Sequence, residues 1–182
     1  GCMDSITHIG ELYEPLSSIT LDNGPKICVD EIINFTAEDF TEQGSFLEFE
    51  WDYQSGTSQE QNPEITFTEN GDINVQLTFT EAATGCTNTI DTLINVFKEP
   101  VADFETPFDS LDVICHPQQI EFTNTSEEDG PVLYSWDFGN NSSSSLEEPT
   151  IAYEKGEYTV QFIVRSFYGC RDTFERTYRL VG

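Results

Sequence analysis

Along most of this chain apolar and polar side chains alternate with a period of two. Leu47, Phe49, Trp51 and Tyr53 are separated by Glu48, Glu50 and Asp52, and Ile73, Val75, Leu77 and Phe79 by Asn74, Gln76 and Thr78; Tyr158, Val160, Phe162 and Val164 repeat the pattern. Successive strand residues point to opposite faces of a sheet, so each run predicts a strand with one buried and one wet side. Turn-forming stretches such as EEDGP at 127–131 and GNNSSSS at 139–145 lie between the runs, and no window carries a helical stripe. Short strands bounded by turns predict an all-β fold, an antiparallel two-sheet β-sandwich that buries one face of each sheet against the other.

The pattern occurs twice. The phrases GCMDS (1–5), GCTNT (85–89) and GCRDT (169–173) begin 84 residues apart each time. Between them Cys28 answers to Cys115 and the pair Ile33 and Phe35 to Ile120 and Phe122, both at an offset of 87, while Trp51-Asp52-Tyr53 answers to Trp136-Asp137-Phe138 at 85. Pro63, Ile65 and Phe67 match Pro149, Ile151 and Tyr153 at 86, and Gly71, Val75 and Gln76 match Gly156, Val160 and Gln161 at 85. The offset changes only between apolar runs, as loop insertions in a duplicated domain would change it, because strand registers do not tolerate length change. The expected organisation is a terminal strand of a preceding repeat at 1–13, then two sandwich units at 14–97 and 98–182. The chain reads as an excerpt of a longer array. Glu14-Pro15 and Glu99-Pro100 stand at matching junctions, where a proline stiffens the chain and withholds a ladder donor.

Five cysteines follow the same register. Cys28 and Cys86 are 58 residues apart, and Cys115 and Cys170 are 55 apart. Two cysteines per copy are most simply paired inside each copy, Cys28 with Cys86 and Cys115 with Cys170, although spacing alone allows other connectivities. Cys2 would then have its partner in the preceding repeat and be unpaired within this chain. The alternative is that the cysteines are small buried hydrophobes. A disulfide framework implies an oxidising compartment.

The stretch YSWDFGNNSSSSLEEPTIAYEKGEYTVQFIVRSFYGCRDT (134–173) resembles the PKD (polycystic-kidney-disease) domain, whose signature is WDFGDG, then a proline, an aromatic residue, and a glycine ahead of a Y-x-V-x-L-x-V strand. Trp136, Asp137, Phe138, Gly139, Pro149, Tyr153, Gly156, Tyr158, Val160 and Val164 all fit. The first unit departs from the signature. Its Trp51-Asp52-Tyr53 is followed by Gln54-Ser55-Gly56, Ile73 stands where the tyrosine belongs, and neither unit has the second aspartate, Ser55 and Asn140 lying nearby. The resemblance implies an immunoglobulin-like sandwich. Residue spacing agrees: Trp136 and Phe138 face one way into the core, Asp137 faces the other way to bond turn backbone, and Gly139 lets the chain leave the strand. The motif reads as structural, against a ligand-binding role for Trp51 or Trp136. PKD units joined to a GCxDT phrase are similar to surface proteins of Bacteroidota, particularly the large gliding-motility adhesins exported by type IX secretion. That likeness implies an extracellular or cell-surface location, associated with the outer membrane.

Charge narrows the partners. The chain has 34 acidic and 7 basic side chains, a net charge of −27; residues 1–97 carry 18 acids and one base, residues 98–182 carry 16 and six. Such a surface repels nucleic acid and anionic lipid and favours a monomer whose neighbours are other repeats of the same chain. No apolar run is long enough to insert into a membrane. Calcium is the cation it could attract, with Asp109, Asp112, Glu127, Glu128 and Asp129 as candidate ligands, although no D-x-D-x-D-G loop is present and solvated acidic loops are the alternative. No catalytic constellation is legible: His8 and His116 have no equivalents in the other repeat, and no G-x-S-x-G, H-E-x-x-H, P-loop or C-x-x-C occurs. Asp4-Ser5-Ile6, Asp91-Thr92-Leu93 and Asp109-Ser110-Leu111 resemble Bacteroidota O-glycan acceptors, and Asn124-Thr125-Ser126 is an N-glycan sequon. The expectation is a non-enzymatic, cofactor-free stalk or adhesin segment supplying length, stiffness and load resistance. The alternative is an accessory module of a secreted hydrolase that binds polysaccharide or protein, for which Tyr13, Phe108, Phe167 and Tyr168 are the aromatic candidates outside the core alternation.

Overall fold

A computed structural model describes residues 17–39, 47–54, 56–82, 85–108, 113–115 and 118–181, with backbone alone at 17, 39, 113–115 and 118. Every regular element among them is a strand. The first repeat forms β1 (Ser17–Leu21), β2 (Lys26–Cys28), β3 (Ile32–Asp39), β4 (Leu47–Tyr53), β5 (Gly56–Ser58), β6 (Glu64–Thr66), β7 (Gly71–Glu81) and β8 (Thr87–Phe97). The second forms β9 (Phe104–Glu105), β10 (Val113–Cys115), β11 (Gln118–Glu121), β12 (Thr123–Asn124), β13 (Val132–Asp137), β14 (Ser143–Ser144), β15 (Thr150–Tyr153), β16 (Gly156–Ser166) and β17 (Arg171–Val181).

Both repeats build the same sheet. Its order is β2-β8-β7-β4-β5 in the first and β10-β17-β16-β13-β14 in the second. The smaller face is a three-stranded sheet β1-β3-β6 in the first repeat and the pairs β11-β15 and β12-β9 in the second. Ladders are antiparallel except at one edge, where β2 runs parallel to β8 and β10 parallel to β17. This is the expected sandwich, with the last two strands of each copy, 11 residues apiece, as its spine.

The described residues divide into two compact units. One contains Ile32–Thr66 and Asp72–Ile94; the other contains Lys26–Glu31, Phe67–Gly71 and the chain from Asn95 onward. In the first, Ile33, Phe35, Trp51, Val75, Leu77, Phe79 and Ile94 are fully buried. They are the inward positions of the period-two runs, and Phe35 meets the Trp51 ring edge-on at 5.3 Å. In the second, Phe104, Phe122, Trp136, Phe138, Phe162 and Tyr178 form one aromatic core with Val160, Val164 and Leu180. Trp136 lies flat on Phe162 at 3.8 Å. Buried aromatic pairs of this kind add specific geometry to a large buried area.

The two tryptophans also solve a polar problem in the same way. A buried indole N–H must find an acceptor. Trp51 Nε1 donates to the Glu60 carbonyl and Trp136 Nε1 to the Leu146 carbonyl, both at 2.8 Å. Asp137 faces outward and accepts from Gly139 N at 2.9 Å, as its place in the motif implies. Gly139 has φ of +70°, and a Cβ there would lie 2.6 Å from the Thr159 carbonyl oxygen, so the turn needs glycine twice over. The first repeat leaves the strand differently. Tyr53 pairs directly with Gly56, whereas Asp137 pairs with Ser143.

Two tyrosines of the second unit are held neutral. Burial, followed by the negative charge of Glu128, pushes Tyr134 up to about 12 from an ordinary value of 10.0, and burial raises Tyr153, whose hydroxyl donates to the Phe138 carbonyl at 3.1 Å. Folding that raises a tyrosine pKa contributes stability that is complete below the unfolded value and is lost as pH climbs through the folded one. The corresponding residues of the first repeat are Phe49 and Phe67. Raising the pH from 10 toward 12 is therefore expected to melt the second unit selectively, with tyrosinate absorbance appearing together with loss of its aromatic circular dichroism. Trp136→Ala should destabilise the same unit by about 3 to 5 kcal/mol, measured as a shift of its denaturant midpoint.

Candidate functional site

The most constructed feature among the described residues is a disulfide inside the second compact unit. Cys28 is bonded to Cys170, 142 residues away. The expected pairs Cys28 with Cys86 and Cys115 with Cys170 are therefore not formed. Each bonded cysteine is the equivalent expected from the repeat, but the bond joins the early cysteine of one copy to the late cysteine of the next. The reason is local geometry at both ends.

At the early end, β2 places Cys28 beside Phe97 in a parallel ladder, Lys26 opposite Asn95 and Ile27 opposite Val96. Ile27 and Cys28 are 3% and 5% exposed. The chain then turns sharply: Glu31 N donates to the Cys28 carbonyl at 3.2 Å, Cys28 N donates back to Glu31 Oε2 at 2.9 Å, and Asp30 sits at φ of 64°. Val29 N to the Phe97 carbonyl and Asp30 N to the Phe67 carbonyl, both 2.9 Å, anchor the turn. At the late end, the β16–β17 hairpin closes through Ser166 N to the Cys170 carbonyl at 2.7 Å and Gly169 N to the Ser166 carbonyl at 3.1 Å, with Gly169 at φ of +107°. This closure turns Cys170 inward until it is 2% exposed.

Aromatic contacts surround the bond. Tyr168 stacks on Phe97 with centroids 3.7 Å apart and planes 8° from parallel, and Lys26 Nζ lies 5.7 Å from the Tyr168 centroid. A cation over an aromatic face adds a modest attraction. Phe167 meets Tyr168 edge-on at 6.1 Å yet is 79% exposed. The linker is fixed nearby, where Ala102 N donates to Asp172 Oδ2 at 2.9 Å and Arg176 lies over Phe104 and Phe174 while reaching Asp103 at 3.9 Å. A bond enclosed in this way is structural chemistry. It requires an oxidising compartment to form.

The remaining sequence candidates disperse. Cys2, His8, Tyr13, Asp109, Asp112 and His116 lie outside the described residues, as do the acceptor triplets at 4–6 and 109–111, and Cys115 is described by its backbone. Among the described residues no group of three or more His, Cys, Asp or Glu is placed to hold a metal ion. The Glu127, Glu128 and Asp129 run does not converge: Glu127 pairs its backbone with Val101, and Glu128 accepts from Asn124 Nδ2 at 3.2 Å and from the Tyr134 hydroxyl at 3.3 Å. Asp91-Thr92-Leu93 lies within β8. Trp51 and Trp136 are core residues, and Phe108 packs partly buried against the second core. The first unit has an open depression of about 490 Å³ lined by Leu47, Glu48, Phe49, Glu50, Gln59 and Thr80, with two carboxylates at its rim and no stacked aromatic platform.

The fold and the bridge define an immunoglobulin-like β-sandwich module of the disulfide-stabilised kind. Residues 98–181, somewhat under half of the chain, match the model of the PKD domain and are the part that belongs to that family. The pre-pro-metalloprotease PrtV of Vibrio cholerae is 35% identical over 83 residues, which are 44% of this chain and 8% of that protein. Among solved structures, the PKD1 domain of Vibrio anguillarum Epp is 35% identical and covers 45% of this chain and 93% of that one, with a TM-score of 0.38. The C-terminal fragment of intimin, solved with the intimin-binding domain of its translocated receptor, shares the fold at 14% identity, covering 90% of this chain and 64% of that one with a TM-score of 0.52.

Non-reducing peptide mapping should recover Cys28 linked to Cys170. On the loop-entropy account a crosslink closing a loop of 142 residue steps restricts the unfolded chain by about 5 kcal/mol. Cys170→Ser is accordingly expected to lower the melting temperature of oxidised protein by several degrees and to leave that of reduced protein nearly unchanged.

Proposed function

We propose that the chain is a non-catalytic segment of an extracellular, repeat-built surface protein, a stalk or adhesin that supplies length, stiffness and resistance to load. The observation that supports this most directly is the Cys28–Cys170 bond. Tension applied outside the two cysteines passes through the covalent bridge, so the loop it closes, 142 residue steps long, is removed from the load path even if its sheets open. Membership of the PKD family, whose domains are non-catalytic modules, agrees with this role, and so does an acidic surface that keeps neighbouring chains apart. The finer reading is a cell-surface adhesin of Bacteroidota resembling the gliding-motility adhesin SprB, exported by type IX secretion and carried at the outer membrane. Its partners are then the neighbouring repeats and surface polysaccharide.

A second reading has one observation in its favour: the PrtV relative is by name a metalloprotease, so these domains also accompany hydrolases. In that case the exposed Phe167, beside Tyr168, is the aromatic surface available to a polysaccharide or protein. Glycan-array binding abolished by Phe167→Ala would favour it.

Single-molecule pulling tests the leading reading. Under oxidising conditions only residues 14–27 and 171–182 of the two repeats can extend, 26 residues or about 90 Å at about 3.6 Å per residue. Reduction is expected to add the contour of the loop's 142 residue steps, about 510 Å. Equal extension in the two conditions would remove the load-limiting role.

A further inference from the structure

The Cys28–Cys170 bond has an early half and a late half, and both are built a second time in this chain. The early half is a short strand laid parallel to the last strand of its own repeat. Cys28 is the register partner of Phe97 in β2–β8, and Cys115 is the register partner of Val181 in β10–β17. The late half is a hairpin tip. Ser166 N donates to the Cys170 carbonyl at 2.7 Å and Gly169 N to the Ser166 carbonyl at 3.1 Å; in the first repeat Glu81 N donates to the Cys86 carbonyl at 2.8 Å and Gly85 N to the Glu81 carbonyl at 2.7 Å. Both tips turn on a glycine of positive φ, +71° at Gly85 and +107° at Gly169. A shift by one repeat thus carries the seat onto a second seat and the tip onto a second tip closed by the same two kinds of backbone bond, the first tip being one residue longer. Pairing within the second repeat is already closed off, because Cys170 is bonded to Cys28.

We propose that the bridge recurs in this register along a run of repeats, the early cysteine of each copy bonding the late cysteine of the next. Cys115 is then the seat for the Gly-Cys hairpin tip of a following repeat, and Cys86 lies on the tip that engages a preceding one. Val181 stands where Phe97 stands, which keeps an apolar residue at the position on which Tyr168 stacks. Each bond forms as two thiols lose two protons and two electrons to make one S–S bond; with oxidised glutathione as the acceptor, its disulfide is reduced to two thiols. Successive bridges interleave, since Cys115 lies inside the loop closed by Cys28 and Cys170. The proposal rests on reading the chain as part of a longer run of repeats.

A tandem protein in which a second copy of residues 14–182 follows Gly182 restores the Glu-Pro junction after a last strand. Folded in a glutathione buffer and mapped without reduction, it should show Cys115 of the first copy linked to Cys86 of the second, in addition to Cys28 with Cys170 in each copy. Cys115→Ser in the first copy should render Cys86 of the second fully reactive to a maleimide while both Cys28–Cys170 links persist. A crosslink from Cys115 to either Cys170, or a free Cys115 thiol between two intact Cys28–Cys170 links, would overturn the proposal. Peptides mapped from the protein isolated from its native source read the same register independently: Cys115 joined to a Gly-Cys peptide of another repeat supports it, and Cys115 joined within its own repeat overturns it. The expected links in a tandem that nonetheless extends equally when oxidised and reduced would uphold the register and remove the load-bearing function.

Discussion

A single covalent bond between two residues 142 positions apart organises this molecule. It draws the end of the first repeat's sheet, β2 with the last residues of β8, into the same compact unit as the second sandwich. The bond is well chosen for a chain with 34 acids and seven bases. Self-repulsion at such a charge opposes compaction, and ion pairs that offset it at the surface are weakened by salt. A disulfide depends on neither charge nor screening. Its neighbours, the Tyr168–Phe97 stack and the Lys26 ammonium near it, then dock on a closure already fixed by covalent geometry.

Inside each sandwich the tryptophan of the WD motif has the corresponding local role. It fills the centre of the core and ties its indole N–H to a loop carbonyl ten or nine residues on. The loop that would otherwise be free is thereby fastened to the sheet. The second repeat surrounds its tryptophan with Phe104, Phe122, Phe138 and Phe162, while in the first Trp51 meets Phe35 and the buried positions include Ile33, Val75, Leu77 and Ile94. Two copies of one topology thus differ in how their interiors are filled, since a core accepts varied side chains as long as volume and alternation are kept.

A load-bearing module and a binding module make opposite demands on a surface. Binding needs a concave or aromatic site with a few oriented polar groups, whereas a spacer needs only charge, solubility and a short load path. The described residues include an open depression beside β4 lined by two carboxylates, and an exposed aromatic, Phe167, at the tip of the hairpin that carries the bonded cysteine. Of the aromatics at that tip, Tyr168 is engaged by its stack on Phe97.

The period-two alternation settled the strands, because side-chain direction along a strand is local and needs no partner to be read. The duplicated WD, proline and glycine positions likewise settled the sandwich and its turn, down to the glycine at 139, whose backbone conformation and close approach to Thr159 leave no room for another residue. Where the cysteines pair was another matter. In a repeat, each cysteine has an equivalent in every copy, so the spacing that permits a bond within one copy permits equally well a bond to the next; sequence is blind to a shift by one whole period. Only the tertiary structure breaks that symmetry. The Gly169 turn points Cys170 at the end of β2, where Cys28 lies beside Phe97, and the distance between thiols in space, which no spacing along the chain encodes, decides which bond exists.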